Sequence, residues 1–262
     1  MIGIITGSGL YDLPGLEKAE TRIVETPYGK ADVVVGVLDG RDVTFIARHG
    51  ANHDYLPNLI NHRANIYALQ GVGVRAIVAT SVMGVVDGSL ELAQVLLFDD
   101  LYFPDNRLPG GEICTFFTEE GQPRRGHYMF GSPFSAAMSS IAVQAASGID
   151  VSVVEGGIYG HVNGPRFNSK AEIRQLQVAC VTAISQTCGP EAVLAGELEI
   201  PYLLAGFGID YANGVNREPT PIENLDRNLN LAAKVIPELI RGIVALVDPE
   251  DIPFEGFVYR FE

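Results

Sequence analysis

The stretch from position 163 to 191 restricts the fold of this chain more than any other. It contains two helix starts with one short apolar strand between them. Ser169 and Glu172 have the spacing of a capping box, so a helix is predicted to begin there. The apolar run Val181–Ile184 predicts a short buried strand, and Thr187 opens the next helix start. Alternation of helix and strand at this spacing indicates the α/β class.

The same stretch brings two chemically different groups close together. The first helix is expected to bury Ile173, Leu176 and Cys180, which fixes Phe167 just before the helix begins. At the second helix start, Thr187 offers a hydroxyl beside free backbone N–H groups, a favourable place for an anion. The sequence therefore predicts an aromatic platform next to an anion site.

Length and charge limit the kinds of partner. The 262 residues suit one domain, residues 1–262, and 47% hydrophobic content allows a substantial core. The formal net charge of −14 argues against non-specific binding to nucleic acid or to an anionic membrane, because both need clustered Lys and Arg. An anionic ligand held by local donors stays compatible with this charge.

The cysteines and the N-terminal residues indicate the cellular compartment in which the protein is expected. Cys114, Cys180 and Cys188 lack paired spacing, so neither a disulfide framework nor a zinc or other metal site is expected. Met1 leads directly into the apolar run Ile2–Ile5 without a basic segment, and no apolar run is long enough to span a bilayer. We therefore expect a cytoplasmic protein.

Polar side chains follow three predicted strands at the point where each strand ends. Ser8 lies in a glycine turn after the first strand, Arg48 and His49 follow a predicted hairpin, and Ser81 follows the strand Arg75–Thr80. Each signal alone is weak, because a glycine turn is more often plain structure and an Arg-His pair is usually solvated. Together they favour a phosphate site, since Arg offers a planar fork that matches phosphate oxygens.

Other segments give coarser predictions. Residues 57–71 predict one helix, residues 94–101 one strand, and residues 103–130 a long irregular excursion rich in aromatic side chains. Thr220 and Glu223 have the spacing of a capping box with Pro221 at the first helical position, which predicts where the last helix begins. The tail from position 249 could not be placed.

Several motifs, taken in their order along the chain, resemble the trimeric purine nucleoside phosphorylase and methylthioadenosine phosphorylase family. They are IITGSGL at 4–10, RHGANH at 48–53, NHRAN at 61–65, TSVMG at 80–84, GPRF at 164–167, the TCGPE turn at 187–191 and Asp210-Tyr211. The resemblance implies a phosphorylase/hydrolase-like fold with a mixed central sheet flanked by helices. It also implies a homotrimer, or a hexamer made of two trimers, that needs no cofactor and uses inorganic phosphate as co-substrate.

The resemblance assigns roles to particular residues. The phosphate would be held by five side chains: Ser8, Arg48, His49, Ser81 and Thr187. Asp210 would act as the general acid toward N7 of the leaving purine and contact the base, while Phe167 would stack on it. His127 from a neighbouring subunit and Ile222 would complete the substrate pocket; for His127, an exposed loop histidine is an equally good interpretation.

Three positions depart from the family pattern and concern substrate choice. Gln186 replaces a methionine beneath the ribose, Asn168 replaces the glutamate or serine after the stacking Phe, and Ala212 replaces a second carboxylate. Asp210 can accept from an exocyclic amine, which favours a 6-aminopurine, whereas the amide of Asn168 can both donate and accept. Asn168 therefore leaves a 6-oxopurine open.

These considerations predict phosphorolysis of S-methyl-5'-thioadenosine, or a related 5'-modified adenosine, to free purine and a ribose 1-phosphate derivative. The first alternative is a 6-oxopurine nucleoside or methylthioinosine phosphorylase. A second alternative is a catalytically silent nucleoside-binding homologue. Retention of all five phosphate-site side chains argues against the silent homologue.

Overall fold

The structure is a computed structural model that describes residues 1–261, and it shows an α/β fold. Its strands are β1 Ile2–Thr6, β2 Leu16–Thr26, β3 Gly29–Leu38, β4 Arg41–Ala47, β5 Ala76–Val85, β6 Val95–Leu97, β7 Asp100–Tyr102, β8 Gly126–Phe130, β9 Val153–Val154, β10 Ile158–His161, β11 Val181–Ser185, β12 Tyr202–Tyr211 and β13 Gly256–Arg260. The helices are α1 His62–Gly71, α2 Ala136–Ala146, α3 Lys170–Val178, α4 Cys188–Glu197 and α5 Ile222–Leu246. Within residues 1–261, no helix is long and apolar enough to cross a membrane.

The central sheet is mixed, as predicted, and its strand directions gather several strand ends at one edge. The main order is β2-β3-β4-β1-β5-β11-β10-β7, and β12, β6 and β9 branch from β5. β1 lies between β4 and β5 and is parallel to both, and β12 is parallel to β5. The carboxyl ends of β1, β4, β5 and β12 therefore meet at the same edge, where α/β sheets bind ligands. β11 is antiparallel to β5, with Ile184 paired to Gly84, so its end runs back toward Ser81.

Helices cover both faces of the sheet because alternate residues of the central strands point to opposite sides. Ile4, Val78 and Leu203 belong to one buried cluster, together with side chains of α2 and α5. Their neighbours Ile5, Ile77 and Leu204 belong to a second cluster, with side chains of α1 and α4. The sheet is buried on both sides, which holds its polar edge in place.

The helix start at Ser169 is confirmed, and one of its predicted buried residues is wrong. Ser169 N donates to Glu172 Oε2 at 2.7 Å and Glu172 N donates to Ser169 Oγ at 3.4 Å, which completes the capping box. Ile173 and Leu176 are buried. Cys180 is exposed, because α3 ends at Val178 and Cys180 turns away in the left-handed region at φ 57°.

Two predicted elements of the first half are divided in the structure. Residues 57–71 form a short 3₁₀ turn, Pro57–Leu59, and then α1, because Asn61 caps a new helix by accepting from Ala64 N at 3.1 Å. Residues 94–101 contain β6 and the start of β7, since β6 pairs with β12 and β9 whereas β7 pairs with β10. Because the partner strand changes, the apolar run that predicts one strand forms two strands in the structure.

The rest of the chain contains one wrong cap and several strands that the sequence did not reveal, among them β13 and β2. Pro221 is the N-cap residue of α5 and has no capping side chain, so the predicted capping box of Thr220 and Glu223 is wrong. β13 lies in the tail that could not be placed and pairs with β8, the one regular part of the aromatic-rich excursion. β2 is a mostly exposed edge strand of eleven residues without an apolar run.

Candidate active site

A cavity of about 460 Å³ opens at the edge where the strand ends meet. Eight residues singled out from the sequence line it: Ser8, His49, Ser81, Phe167, Asn168, Gln186, Thr187 and Asp210. Strands β1, β4, β5, β11 and β12, or the residues directly after them, supply most of these side chains. The fold therefore brings together residues up to about two hundred positions apart in the chain.

Three hydroxyl groups collect at one end of this cavity. Ser81 and Thr187 are buried at the edge of the cavity, and Ser8 is half-buried in the turn after β1. Thr187 is the N-cap residue of α4, but its side chain makes no capping bond to that helix within residues 1–261. Its hydroxyl has a weak contact with Cys188 Sγ at 3.5 Å, and the positive end of the helix dipole lies beside it. This end of the cavity suits an anion.

His49 presents a hydrogen-bond acceptor to the same end. Its Nδ1 lies 2.8 Å from the carbonyl oxygen of Tyr55, which can only accept, so Nδ1 carries the proton and Nε2 the lone pair. Burial lowers the pKa of His49 to about 4, so the ring is neutral near pH 7. The ring stacks on His53, with centroids 4.8 Å apart. His49 therefore offers the lone pair of Nε2 as a hydrogen-bond acceptor at the cavity wall.

Arg48 lies behind the cavity wall in a buried ion pair with Glu191. Its Nε and Nη2 donate to the two carboxylate oxygens at 2.7 and 2.8 Å, and its Nη1 donates to the carbonyl of Thr80 at 2.6 Å. Burial by itself would raise the pKa of Glu191, but the charge and hydrogen bonds of Arg48 more than offset this and lower it. Both groups are therefore charged.

The absence of a side chain at Gly7 brings Arg48 close to the turn that carries Ser8. A Cβ at Gly7 would lie 2.8 Å from Arg48 Nη1. Three of the five guanidinium N–H groups are used by the bonds to Glu191 and Thr80. Arg48 thus lies directly behind the hydroxyl groups of Ser8, Ser81 and Thr187, and most of its N–H groups bond to the protein itself.

At the opposite end, an irregularity in β12 directs Asp210 into the cavity. β12 pairs with β5 in regular parallel register up to Gly208 and Met83, and the next pair is Asp210 with Gly84. Ile209 is therefore an extra residue that forms a β-bulge. In a regular strand Ile209 would pair with Gly84, but because of the bulge Asp210 takes that position. Asp210 Oδ1 is buried and has no hydrogen-bond partner within residues 1–261.

A loop that precedes α3 forms the rim beside Asp210. Phe167 on this loop is 83% exposed, which is unusual for a phenylalanine and leaves its ring face open to the cavity mouth. Gln186 Nε2 donates to the carbonyl of Arg166 at 3.1 Å, and Asn213 Nδ2 donates to the carbonyl of Asn168 at 2.8 Å. Gln186, expected to contact the sugar, thus also fastens this loop to the end of β11.

Sequence reasoning missed the apolar wall of the cavity. Leu225 and Leu229 of α5 line it, together with Met83 and Ile184. The spacing of Leu225 and Leu229 by four residues on a helix was a usable signal for a shared face. Ile222, the residue expected in this role, is 76% exposed and lies outside the lining residues within the part of the chain described.

His127 lies away from the cavity of its own chain. It is part of β8, pairs with Tyr259 of β13, and lines a second cavity of about 520 Å³. Its ring meets the Phe261 ring edge to face, with centroids 5.4 Å apart. In a single chain, His127 and Asp210 therefore belong to different cavities.

Comparisons with known proteins agree with this geometry. Residues 1–245 match the family model described as the phosphorylase superfamily. The 6-oxopurine nucleoside phosphorylase of Pyrococcus furiosus is 32% identical over 95% of this chain and 94% of its own length. A probable S-methyl-5'-thioinosine phosphorylase of Xanthomonas campestris pv. campestris is 35% identical over 91% of this chain and 95% of its own.

A solved structure supports the same conclusion. The methylthioadenosine phosphorylase from an antarctic soil metagenomic library superposes with a TM-score of 0.82 at 30% identity, over 94% of this chain and 85% of that one. The chain therefore belongs to the phosphorylase superfamily, in the purine nucleoside and methylthioadenosine phosphorylase family that its motifs resemble, and it is an enzyme of the nucleoside phosphorylase type.

Proposed function

We propose that this enzyme phosphorolyses S-methyl-5'-thioadenosine, or a related 5'-modified adenosine, to free purine and the corresponding ribose 1-phosphate derivative. One observation carries the proposal: a single cavity holds hydroxyl donors at one end and, elsewhere, an apolar wall and the Asp210 carboxylate, whose buried Oδ1 has no hydrogen-bond partner among the residues described. Inorganic phosphate is the co-substrate, and no other cofactor is required.

The hydroxyl end would hold and aim the phosphate. Ser8, Ser81 and Thr187 would donate to its oxygens, and neutral His49 would accept from a protonated oxygen. Arg48, behind Gly7, would turn the positive side of its ion pair with Glu191 toward the phosphate. Fixing the nucleophile opposite the anomeric carbon converts a bimolecular attack into an intramolecular one, which is a large source of rate enhancement.

The Asp210 end would receive the leaving purine. As phosphate oxygen bonds to C1', the C1'–N9 bond breaks and its electron pair passes into the base. A proton shared between Asp210 and N7 would stabilise that charge, and the same carboxylate would accept from a 6-amino group. Stacking on the open face of Phe167 would contribute on the order of 1–3 kcal/mol to binding.

The apolar wall is the argument for the 5'-substituent. Leu225 and Leu229 offer no hydrogen-bond partner to a 5'-hydroxyl, whereas a methylthio group would bury its apolar surface against them. Burying a hydroxyl without a partner costs free energy. A 5'-alkylthio nucleoside therefore fits this wall better than adenosine or inosine does.

The second candidate is a methylthioinosine phosphorylase. Asn168 lines the cavity, and its amide can donate to a 6-oxo group and accept from N1–H at once. A relative with 35% identity is named as a probable phosphorylase of that nucleoside. Both candidates share the phosphate end and the apolar wall, so they differ only in how the base is read.

We also propose a homotrimer, or two associated trimers, in which the two-stranded sheet of β8 and β13 carries His127 into the pocket of a neighbouring subunit. One face of this two-stranded sheet carries the exposed apolar side chains of Met129, Phe257 and Tyr259. Closed cyclic symmetry is a common way to cover such surfaces. Light scattering should give a multiple of three subunits; a stable monomer with full activity would reject the trimer.

The experiment that tests the activity measures base release from S-methyl-5'-thioadenosine with and without inorganic phosphate. We expect release to depend on phosphate, with a 1-phosphorylated sugar formed in equal amount to the free base. Equal release without phosphate would indicate hydrolysis. Tight nucleoside binding without any release would instead support a silent nucleoside-binding homologue.

A further inference from the structure

A buried asparagine on α5 contacts the irregular part of β12. Asn228 is 3% exposed, and its Nδ2 donates to the carbonyl oxygen of Ile209 at 2.9 Å. Ile209 is the extra residue of the bulge, immediately before Asp210. The bond therefore reaches the backbone at the position where the course of β12 departs from regular pairing.

This bond has a clear physical reason at the bulge. An extra residue has no partner in the strand ladder, so its carbonyl needs another donor when it is buried. Asn228 supplies that donor from the helix packed against β12. Without it, the peptide between Ile209 and Asp210 has less to hold it in one orientation, and that orientation aims the Asp210 side chain.

The position of Asn228 on its helix is otherwise an apolar one. It is followed at helical spacing by the buried residues Ala232, Val235 and Leu239, which pack in the core between α5 and the sheet. An amide in such a stripe costs free energy unless it is hydrogen-bonded. A leucine would satisfy packing alone, so the amide points to a task that packing does not require.

We propose that Asn228 is a positioning residue for Asp210: by holding the Ile209 carbonyl, it fixes the bulge that directs the carboxylate into the cavity. The inference deepens the proposed function and rests on it. Asn228 acts through the backbone and touches no substrate. Because Ser8, Ser81 and Thr187 stand on other elements, phosphate binding does not depend on it.

The test is a double-mutant cycle on the full-length enzyme with Asn228→Leu, Asp210→Asn and the double variant. Measured quantities are kcat with S-methyl-5'-thioadenosine, KM for inorganic phosphate and the melting temperature. Asn228→Leu should lower kcat by roughly 10- to 100-fold, the scale of a misplaced catalytic group, and leave KM for phosphate unchanged within about twofold. In the Asp210→Asn background the same substitution should change kcat by no more than about twofold.

Asn61→Ala is the matched control, because it also removes hydrogen bonds of an asparagine but at the start of α1. It should lower the melting temperature and leave kcat unchanged. If Asn228→Leu does not fold, Asn228→Asp keeps the shape and, when ionised, removes the donor, and the same cycle is run with it. A loss of kcat that is as large in the Asp210→Asn background as in the parent would overturn the positioning role.

The two proposals fail in different ways. A parent enzyme without phosphate-dependent base release rejects the proposed function, whatever the variants do. A parent enzyme that is active and is slowed by Asp210→Asn, but is unaffected by replacement of Asn228, rejects the positioning role alone.

Discussion

The two ends of the cavity are built in different ways. At the hydroxyl end, Ser8 follows β1, Ser81 lies within β5 and Thr187 precedes α4, and Arg48 is fixed behind them by Glu191. At the Asp210 end, the carboxylate depends on a bulge in β12, and Phe167 lies on an exposed loop that side-chain amides fasten. The hydroxyl end is rigid by construction, whereas the other end is assembled from several separate contacts.

This difference suggests a division of labour between the ends. Groups fixed on the sheet and at a helix start suit a co-substrate that never changes, which for the proposed reaction is phosphate. A bulge, a loop and one helix face can each change without disturbing the sheet, so base and 5'-substituent can change from relative to relative. The relatives compared above carry names with different purines and different sugars, which agrees with this division.

The largest expected effect is at the Asp210 end. Asp210→Asn keeps the shape and removes the acid, so kcat should fall by roughly 10²- to 10⁴-fold. Activity with adenine nucleosides should fall more than with hypoxanthine nucleosides, because an asparagine can donate to a 6-oxo group. KM for phosphate should stay constant. An unchanged ratio of the specificity constants for S-methyl-5'-thioadenosine and inosine would mean that Asp210 does not read the base.

A smaller effect should follow from a change at the hydroxyl end. Thr187→Val removes one hydrogen bond to a charged ligand, worth about 1.5–3 kcal/mol, so KM for phosphate should rise at least about tenfold. The ratio among nucleosides should not change. Thr44→Val is the control, since Thr44 is buried in β4 and bonds to Met1 Sδ outside the cavity. A changed nucleoside ratio in Thr187→Val would break the proposed separation of the two ends.

A third change tests the apolar wall. Leu225→Ser should lower the preference for S-methyl-5'-thioadenosine over adenosine by roughly tenfold, because the methylthio group loses apolar contact and a 5'-hydroxyl gains a partner. Leu231→Ser on the same helix is the control, since Leu231 is partly exposed and lies outside the lining residues among those described. Equal loss of activity toward both nucleosides would remove the argument for a 5'-alkylthio substrate.

The smallest effect on kcat is expected for changes in the buried histidines behind the hydroxyl end, which should affect stability instead. Burial lowers the pKa of His62 to about 4 and that of His161 to about 3, from an ordinary value of 6.5. Below pH 6.5 the unfolded chain therefore binds more protons than the folded one. The contribution of these two histidines to the free energy of unfolding should be fully present above that pH and should decline toward pH 4.

Thermal melts across this range provide the measurement. The melting temperature should fall by at least a few degrees between pH 7 and pH 5, and His62→Leu should reduce the fall, with little change in kcat at pH 7. A melting temperature that is constant from pH 7 to pH 5 would contradict the neutral, buried state of these rings.

The hydroxyl end was accessible from the sequence because its signals are local. A hydroxyl after an apolar run predicts Ser8 after β1, and a helix start predicts Thr187. The strand predicted to end at Thr80 continues to Val85, so Ser81 lies within β5 and not after it. The hairpin predicted before Arg48 is confirmed as β3 and β4, which are joined at Asp39 and Gly40. Both turn residues have the positive φ values, 50° and 81°, that such a turn requires. Each of these features depends on a few neighbouring residues.

The Asp210 end was less accessible because its geometry depends on contacts distant in sequence. No local pattern shows that Ile209 bulges out of β12, since the bulge exists only relative to β5. The partner of Arg48 was also hidden, because Glu191 is 143 positions away. Ile222 was assigned to the pocket by the family resemblance, whereas the four-residue spacing of Leu225 and Leu229 marks the face of α5 that lines the cavity.

The central claim is tested most directly by the specificity constants for four nucleosides that combine two bases with two sugars: S-methyl-5'-thioadenosine, S-methyl-5'-thioinosine, adenosine and inosine, each with saturating phosphate. We expect S-methyl-5'-thioadenosine to have the highest value, and both methylthio nucleosides to exceed their 5'-hydroxyl counterparts by about 10- to 100-fold. The highest value for inosine, or no dependence on the 5'-substituent, would contradict the account.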